Sequence, residues 1–153
     1  MYLFKEARAV WREYTYEQYN QFVGFHSTVS VNGKVPVKIA IAARSYYRLY
    51  INGEMISCGP ARTAEYYCRV DEVEAVLEGD CDIAIEAVAY SKTEKYCNDC
   101  TMEPGLVIIE IADQEGNVIL ATGQGTWTCQ ELTYRRALVE TMSHCRGIVD
   151  TTI

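Results

Sequence analysis

Residues 46–69 read YYRLYINGEMISCGPARTAEYYCR, and this stretch decides the fold class. Tyr47, Leu49 and Ile51 alternate with Tyr46, Arg48 and Tyr50, the period of a strand with one face buried. Asn52-Gly53 follows directly, and a two-residue type I′ turn needs positive φ at both central positions, which Asn and Gly tolerate best. A return strand over 54–58 breaks at Gly59-Pro60, because proline has no N–H for a ladder. A polar loop over 62–65 leads to Tyr66, Cys68 and Val70, where alternation resumes. The unit is strand, tight turn, strand, loop, strand.

The same pattern extends in both directions. Phe25, Ser27, Val29 and Val31 share a face, Asn32-Gly33 predicts a second hairpin, and Val37, Ile39, Ile41 and Ala43 alternate again. Residues 71–79 are acidic and read as a turn, after which Ile83, Ile85, Ala87 and Ala89 form a strand. Residues 92–105 are the longest polar break, and Val107, Ile109 and Ile111 resume the sheet. A turn at 114–117 precedes a strand over 118–122, and Trp127 follows a glycine-loosened link. Tyr134, Leu138 and Met142 suit helical spacing, so a short helical turn is expected near 130–143. Near the N-terminus Trp11 fits a short strand or, with Tyr14 and Gln18, a helical face. Eight or nine short strands between turn residues, with few helices, predict an all-β, antiparallel β-sandwich. Phe25, Val29, Ile39, Ile41, Leu49, Ile51, Ile83, Ile85, Val107 and Ile109 are expected inside it.

Composition bounds the function. A chain of 153 residues is one domain, 1–153, large enough to bury about 70% of its unfolded surface. A formal charge of −7 without a Lys/Arg cluster argues against nucleic acid. No run approaches the roughly 20 apolar residues of a membrane span. Charges at Glu6, Arg8, Arg12 and Glu13 interrupt any signal-peptide centre, which makes the cytoplasm the expected compartment. Seven irregularly spaced cysteines fit reduced thiols better than a disulfide framework.

At the central stretch the sequence resembles the N-terminal β-sandwich domain of bacterial α-L-rhamnosidases. The residues concerned are Tyr47 to Gly53, then Gly59-Pro60-Ala61-Arg62, then Tyr67 to Asp71. Leu77-Glu78-Gly79 before Ile83 to Glu86, and Thr126-Trp127, extend the likeness over most of the chain from about Ala9 to Asp150. It implies a jelly-roll or galactose-binding-like sandwich that supports or binds carbohydrate. It also implies a longer parent glycoside hydrolase, since that family's catalytic carboxylates sit in an (α/α)₆ barrel this chain is too short to encode. The expected partners are therefore that catalytic module and rhamnose-containing glycans.

Cys97 and Cys100 have metal-ligand spacing, but no second pair completes four ligands, so no metal or other cofactor is expected. The acidic groups Asp71/Glu72/Glu74 and Glu78/Asp80/Asp82 sit in turn-like runs where solvated carboxylates are the default, so no catalytic residue is assigned. His26 and His144 lie in no nucleophile setting. The aromatic content, with 12 tyrosines, is the better resource, because rings stack on sugar C–H faces while Arg and Glu fix hydroxyls. Arg62, Glu65, Tyr66 and Trp127 are the candidate ligand-binding residues; packing or domain contact is the competing role for each.

Overall fold

The computed structural model describes residues 4–12, 21–61, 63, 67–89, 105–137 and 150–152. Among these, all regular structure is strand: β1 Gln21–Ala43, β2 Tyr46–Ile51, β3 Glu54–Gly59, β4 Asp71–Ala89, β5 Val107–Asp113, β6 Val118–Ala121, β7 Thr128–Glu131, β8 Arg135–Ala137 and β9 Asp150–Thr152. The hydrogen-bonded path runs β3-β2-β4-β1-β5-β6, with β7 on the N-terminal part of β1 and β8 paired with β9. All pairings are antiparallel.

Two very long strands turn this path into a sandwich. β1 has 23 residues and β4 has 19, and their ladder shifts register between Val31 and Lys34. Gly33 (φ +73°) and Gly79 (φ +64°) sit at that place, in a backbone region that L side chains rarely adopt. One contact shows that β4 folds back along its length, and the register shift marks the place. The Tyr47 hydroxyl donates to Asp71 Oδ2 at 2.8 Å. Yet Tyr47 is in register with Ala87, and the 16 residues from 71 to 87 would span roughly 50 Å if straight. One layer therefore holds β3, β2, residues 79–89, residues 21–31 and β7. The other holds residues 71–78, residues 34–43, β5 and β6.

The core lies between these layers. Val23, Phe25, Tyr47, Leu49, Ile51, Ile83 and Ile85 from the first meet Val37, Ile39, Ile41, Leu77, Val107, Ile109 and Ile111 from the second in one buried cluster. Of the ten residues expected inside, Val29 is partly buried and the rest are buried. The N-terminal segment closes one end. Val10 bridges Val107, the Trp11 ring packs 5.8 Å from Phe25, and Glu110 accepts the backbone N–H groups of Glu6 (2.8 Å) and Ala7 (3.1 Å). Burial alone would raise the Glu110 pKa, but these N–H donors outweigh it and hold the carboxyl below its usual range.

Four sequence expectations are corrected. Residues 67–70, where alternation predicts the next strand, carry no regular structure, and β4 begins only at Asp71. Asn32-Gly33 is no hairpin but an irregularity inside β1, because each half of the strand pairs across to β4. Residues 71–79 are strand rather than turn: Leu77 points inward while Glu72, Glu74 and Glu78 face solvent. The described part of 130–143 is strand, turn and strand, because residues 128–131 pair with β1 before the chain turns at 133–134. Residues 138–143 lie outside the described residues.

Tyr47 generates a pH prediction. Burial pushes its pKa far above 10; the hydrogen bond to Ser57 opposes this and the Asp71 carboxylate adds to it. The folded state keeps this proton at a pH where the unfolded chain releases it, so stability falls as pH rises from about 10. Urea midpoints measured above pH 10 should decline less steeply in Tyr47→Phe than in the wild type. Equal slopes would show that the phenol is not held as described.

Candidate functional site

Alternation gives the first layer an outer face as well as an inner one. Tyr46, Arg48 and Tyr50 of β2 and Glu86 of β4 stand on it, opposite the buried Tyr47, Leu49, Ile85 and Ala87. In register, Glu86 lies beside Arg48 on one side and Gly24 on the other. Gly24 offers no side chain, and Leu132 fills that space: a Cβ at position 24 would lie 2.8 Å from Leu132 Cδ2. Leu132 is buried with Phe22 and Val88 in a small satellite cluster, and its N–H donates to the Phe22 carbonyl at 3.0 Å. A turn follows, closed by Arg135 N–H donating to the Leu132 carbonyl at 3.0 Å.

That turn delivers two more side chains to Glu86. The Tyr134 hydroxyl donates to Glu86 Oε1 at 2.6 Å, and Arg135 Nη2 donates to Oε2 at 2.9 Å. Arg48 Nη1 (3.4 Å) and the Tyr50 hydroxyl (3.3 Å) approach Oε2 from β2 at longer range. The Arg135 guanidinium lies 6.0 Å from the Phe22 ring centre and 5.8 Å from that of Tyr134, and that of Arg48 lies 5.8 Å from the Tyr46 ring centre. Burial, then the neighbouring Glu86 carboxylate, pushes the Tyr50 and Tyr134 pKa values up, so both phenols remain donors at neutral pH.

Two hollows flank this cluster. One, of about 150 Å³, is lined by Tyr46, Arg48, Glu86 and Arg135 over Phe22 and Leu132. The other, of about 500 Å³, shares Glu86 and Leu132 and adds Tyr50 and Tyr134. The combination of ring faces, a carboxylate and guanidinium donors is suited to a ligand with hydroxyls and an apolar side. Among the described residues no group of three or more His, Cys, Asp or Glu is placed to hold a metal ion.

Of the residues proposed from sequence, Arg62, Glu65 and Tyr66 lie outside the described residues, as do Cys97 and Cys100. Trp127 is half-buried, packs against the main core, and donates its Nε1–H to the Ala121 carbonyl at 2.9 Å. The sequence alone does not assemble the Glu86 cluster. Its β2 and β4 members were visible as outward positions of alternating strands, but nothing in sequence linked them to residues 132–135.

No protein-family model matches the sequence, and no curated protein matches it. Solved structures do match. The chain is similar to part of the GH78 family rhamnosidase of Bacillus sp. GL1, with a TM-score of 0.80 at 21% identity, covering 95% of this chain and 15% of that one. The α-L-rhamnosidase of Aspergillus terreus gives a TM-score of 0.62 at 14% identity over 83% of this chain and 17% of that chain. The α-L-rhamnosidase of Dictyoglumus thermophilum gives 0.55 at 17% identity over 72% and 13%. The resemblance read from the central stretch is thus found again in the fold. The chain spans about a sixth or less of the length of these enzymes.

The seating of Leu132 is open to direct test. Gly24→Val should expel Leu132 and carry Tyr134 and Arg135 away from Glu86, at a cost of roughly 1–3 kcal/mol for overpacking. Amide shifts of residues 132–135 and a denaturation curve would report it. Unchanged shifts and stability would contradict the close approach.

Proposed function

We propose that this chain is a non-catalytic accessory β-sandwich of an α-L-rhamnosidase-like glycoside hydrolase. In that role it packs against, or presents carbohydrate to, a catalytic (α/α)₆ module carried by a longer polypeptide in the cytoplasm. The observation that carries this reading is the fold: nearly the whole chain superposes on a small fraction of a GH78 rhamnosidase. The chemistry of the outer face supports it. Glycoside hydrolysis uses two carboxyl groups facing each other, about 5–5.5 Å or 6.5–9.5 Å apart. Among the described residues lining the two hollows, Glu86 is the one carboxylate, and it is held by two tyrosines and two arginines.

A second reading, a carbohydrate-binding module that works alone, is favoured by the same cluster of rings, guanidinium and carboxylate. An aryl α-L-rhamnoside assay separates both readings from catalysis. The isolated chain should give no turnover, and the native polypeptide that carries it should give turnover. Turnover by the isolated chain that is lost in Glu86→Gln would overturn the non-catalytic reading. A native polypeptide without rhamnosidase activity, and with no rhamnosidase module bound, would overturn the accessory one.

A further inference from the structure

We infer that the hollow between β2, β4 and the turn at 133–134 is a binding site for one neutral pyranose ring. Tyr46 is its stacking face, Arg48 its hydroxyl donor and Glu86 its acceptor. The proposal deepens the carbohydrate-associated reading above and rests on it for the choice of sugars as probes.

First, the four contacts to Glu86 are unequal. Tyr134 and Arg135 bind at 2.6 and 2.9 Å, whereas Arg48 and Tyr50 stand at 3.4 and 3.3 Å. The two short contacts fix the carboxylate on the sheet. The two long ones, at the margin of hydrogen-bond range, are those a ligand hydroxyl takes over at little cost. Second, a pair of neighbouring sugar hydroxyls offers donors and acceptors together, which a carboxylate beside a guanidinium with five N–H groups can satisfy. A purely apolar ligand would strip water from Glu86 and Arg48 without replacing its hydrogen bonds. An anion would lie against the Glu86 carboxylate. Third, Tyr46 is 37% exposed, on the rim of the hollow, and its ring lies beside the Arg48 guanidinium. It presents an apolar face next to the polar pair, matching the two-sided character of a pyranose.

Size limits the occupant. A hollow of about 150 Å³ lies below the roughly 300–1,000 Å³ of pockets that enclose drug-sized ligands, so it takes one ring. The larger hollow beyond Tyr134, which shares Glu86, lies where a linked second residue would continue.

The test is an amide-shift titration of the chain, by nuclear magnetic resonance, with methyl α-L-rhamnopyranoside, methyl β-D-galactopyranoside and methyl α-D-glucopyranoside in turn. Sodium glucuronate serves as the anionic probe. At least one neutral glycoside should give saturable shifts centred on Tyr46, Arg48, Glu86 and Arg135. Tyr46→Ala, on the exposed rim, should leave the spectrum folded and weaken that binding by at least about tenfold. Glu86→Gln should weaken it further; if that variant unfolds, Tyr46→Ala and Arg48→Gln decide the matter. Three results would overturn the proposal: no saturable shift with any neutral glycoside, binding of glucuronate alone, or shifts confined to residues 62–66 and Trp127. The last would leave the carbohydrate reading standing while removing this site. The accessory reading is decided separately, by the rhamnosidase assay of the native polypeptide.

Discussion

A side chain at position 24 would occupy the space that Leu132 fills, and the outer face of the sandwich depends on that vacancy. Leu132 seats on bare backbone and is buried against Phe22 and Val88. Its turn then has a fixed start, so the next three residues cannot wander far from the sheet. Tyr134 and Arg135 arrive at Glu86 because Glu86 is the cross-strand neighbour of the same glycine. A carboxylate on an exposed sheet face would ordinarily be solvated. Here it is desolvated in part and surrounded by donors, which is how a surface position acquires an ordered polar site.

The inner face supplies the rigidity this requires. The β1–β4 ladder folds over at Gly33 and Gly79 and stacks its two halves on either side of one aliphatic core. The same ladder carries both layers, so the register between Gly24 and Glu86 cannot slip without moving every inward residue to the wrong face. Successive tyrosines on β2 illustrate the division of labour. Tyr47 points in and ties β2 to Asp71 at the start of β4, whereas Tyr46 and Tyr50 point out toward the groove.

Much of the sandwich was legible in the sequence, because alternation over 23–31, 47–51 and 83–87 reflects burial on one side of each strand, while over 39–43 small alanines alternate with isoleucines in a segment buried on both faces. Less legible was how those strands connect. Asn-Gly at 52–53 makes a tight turn, with Asn52 at φ +50° and Gly53 at φ +80°; Asn-Gly at 32–33 does not. The dipeptide permits positive φ at either place, and the long partner strand decides which use is made of it. Residues 71–79 were obscured by their acids, since a strand with solvated carboxylates outside has the composition of a loop. The candidate site was half legible: Arg48, Tyr50 and Glu86 follow from strand period, but Tyr134 and Arg135 lie 48 and 49 residues from Glu86. Only tertiary structure brings them together.

Beyond the seat of Leu132, Glu86 holds Tyr134 and Arg135 on the sheet. A double-mutant cycle of Glu86→Gln and Tyr134→Phe, read by urea denaturation, tests it most directly. The described geometry predicts that the two changes are coupled, by roughly 0.5–3 kcal/mol for groups sharing one hydrogen-bond network. Effects that add to within about 0.3 kcal/mol would place Tyr134 and Glu86 in no common network and contradict the account.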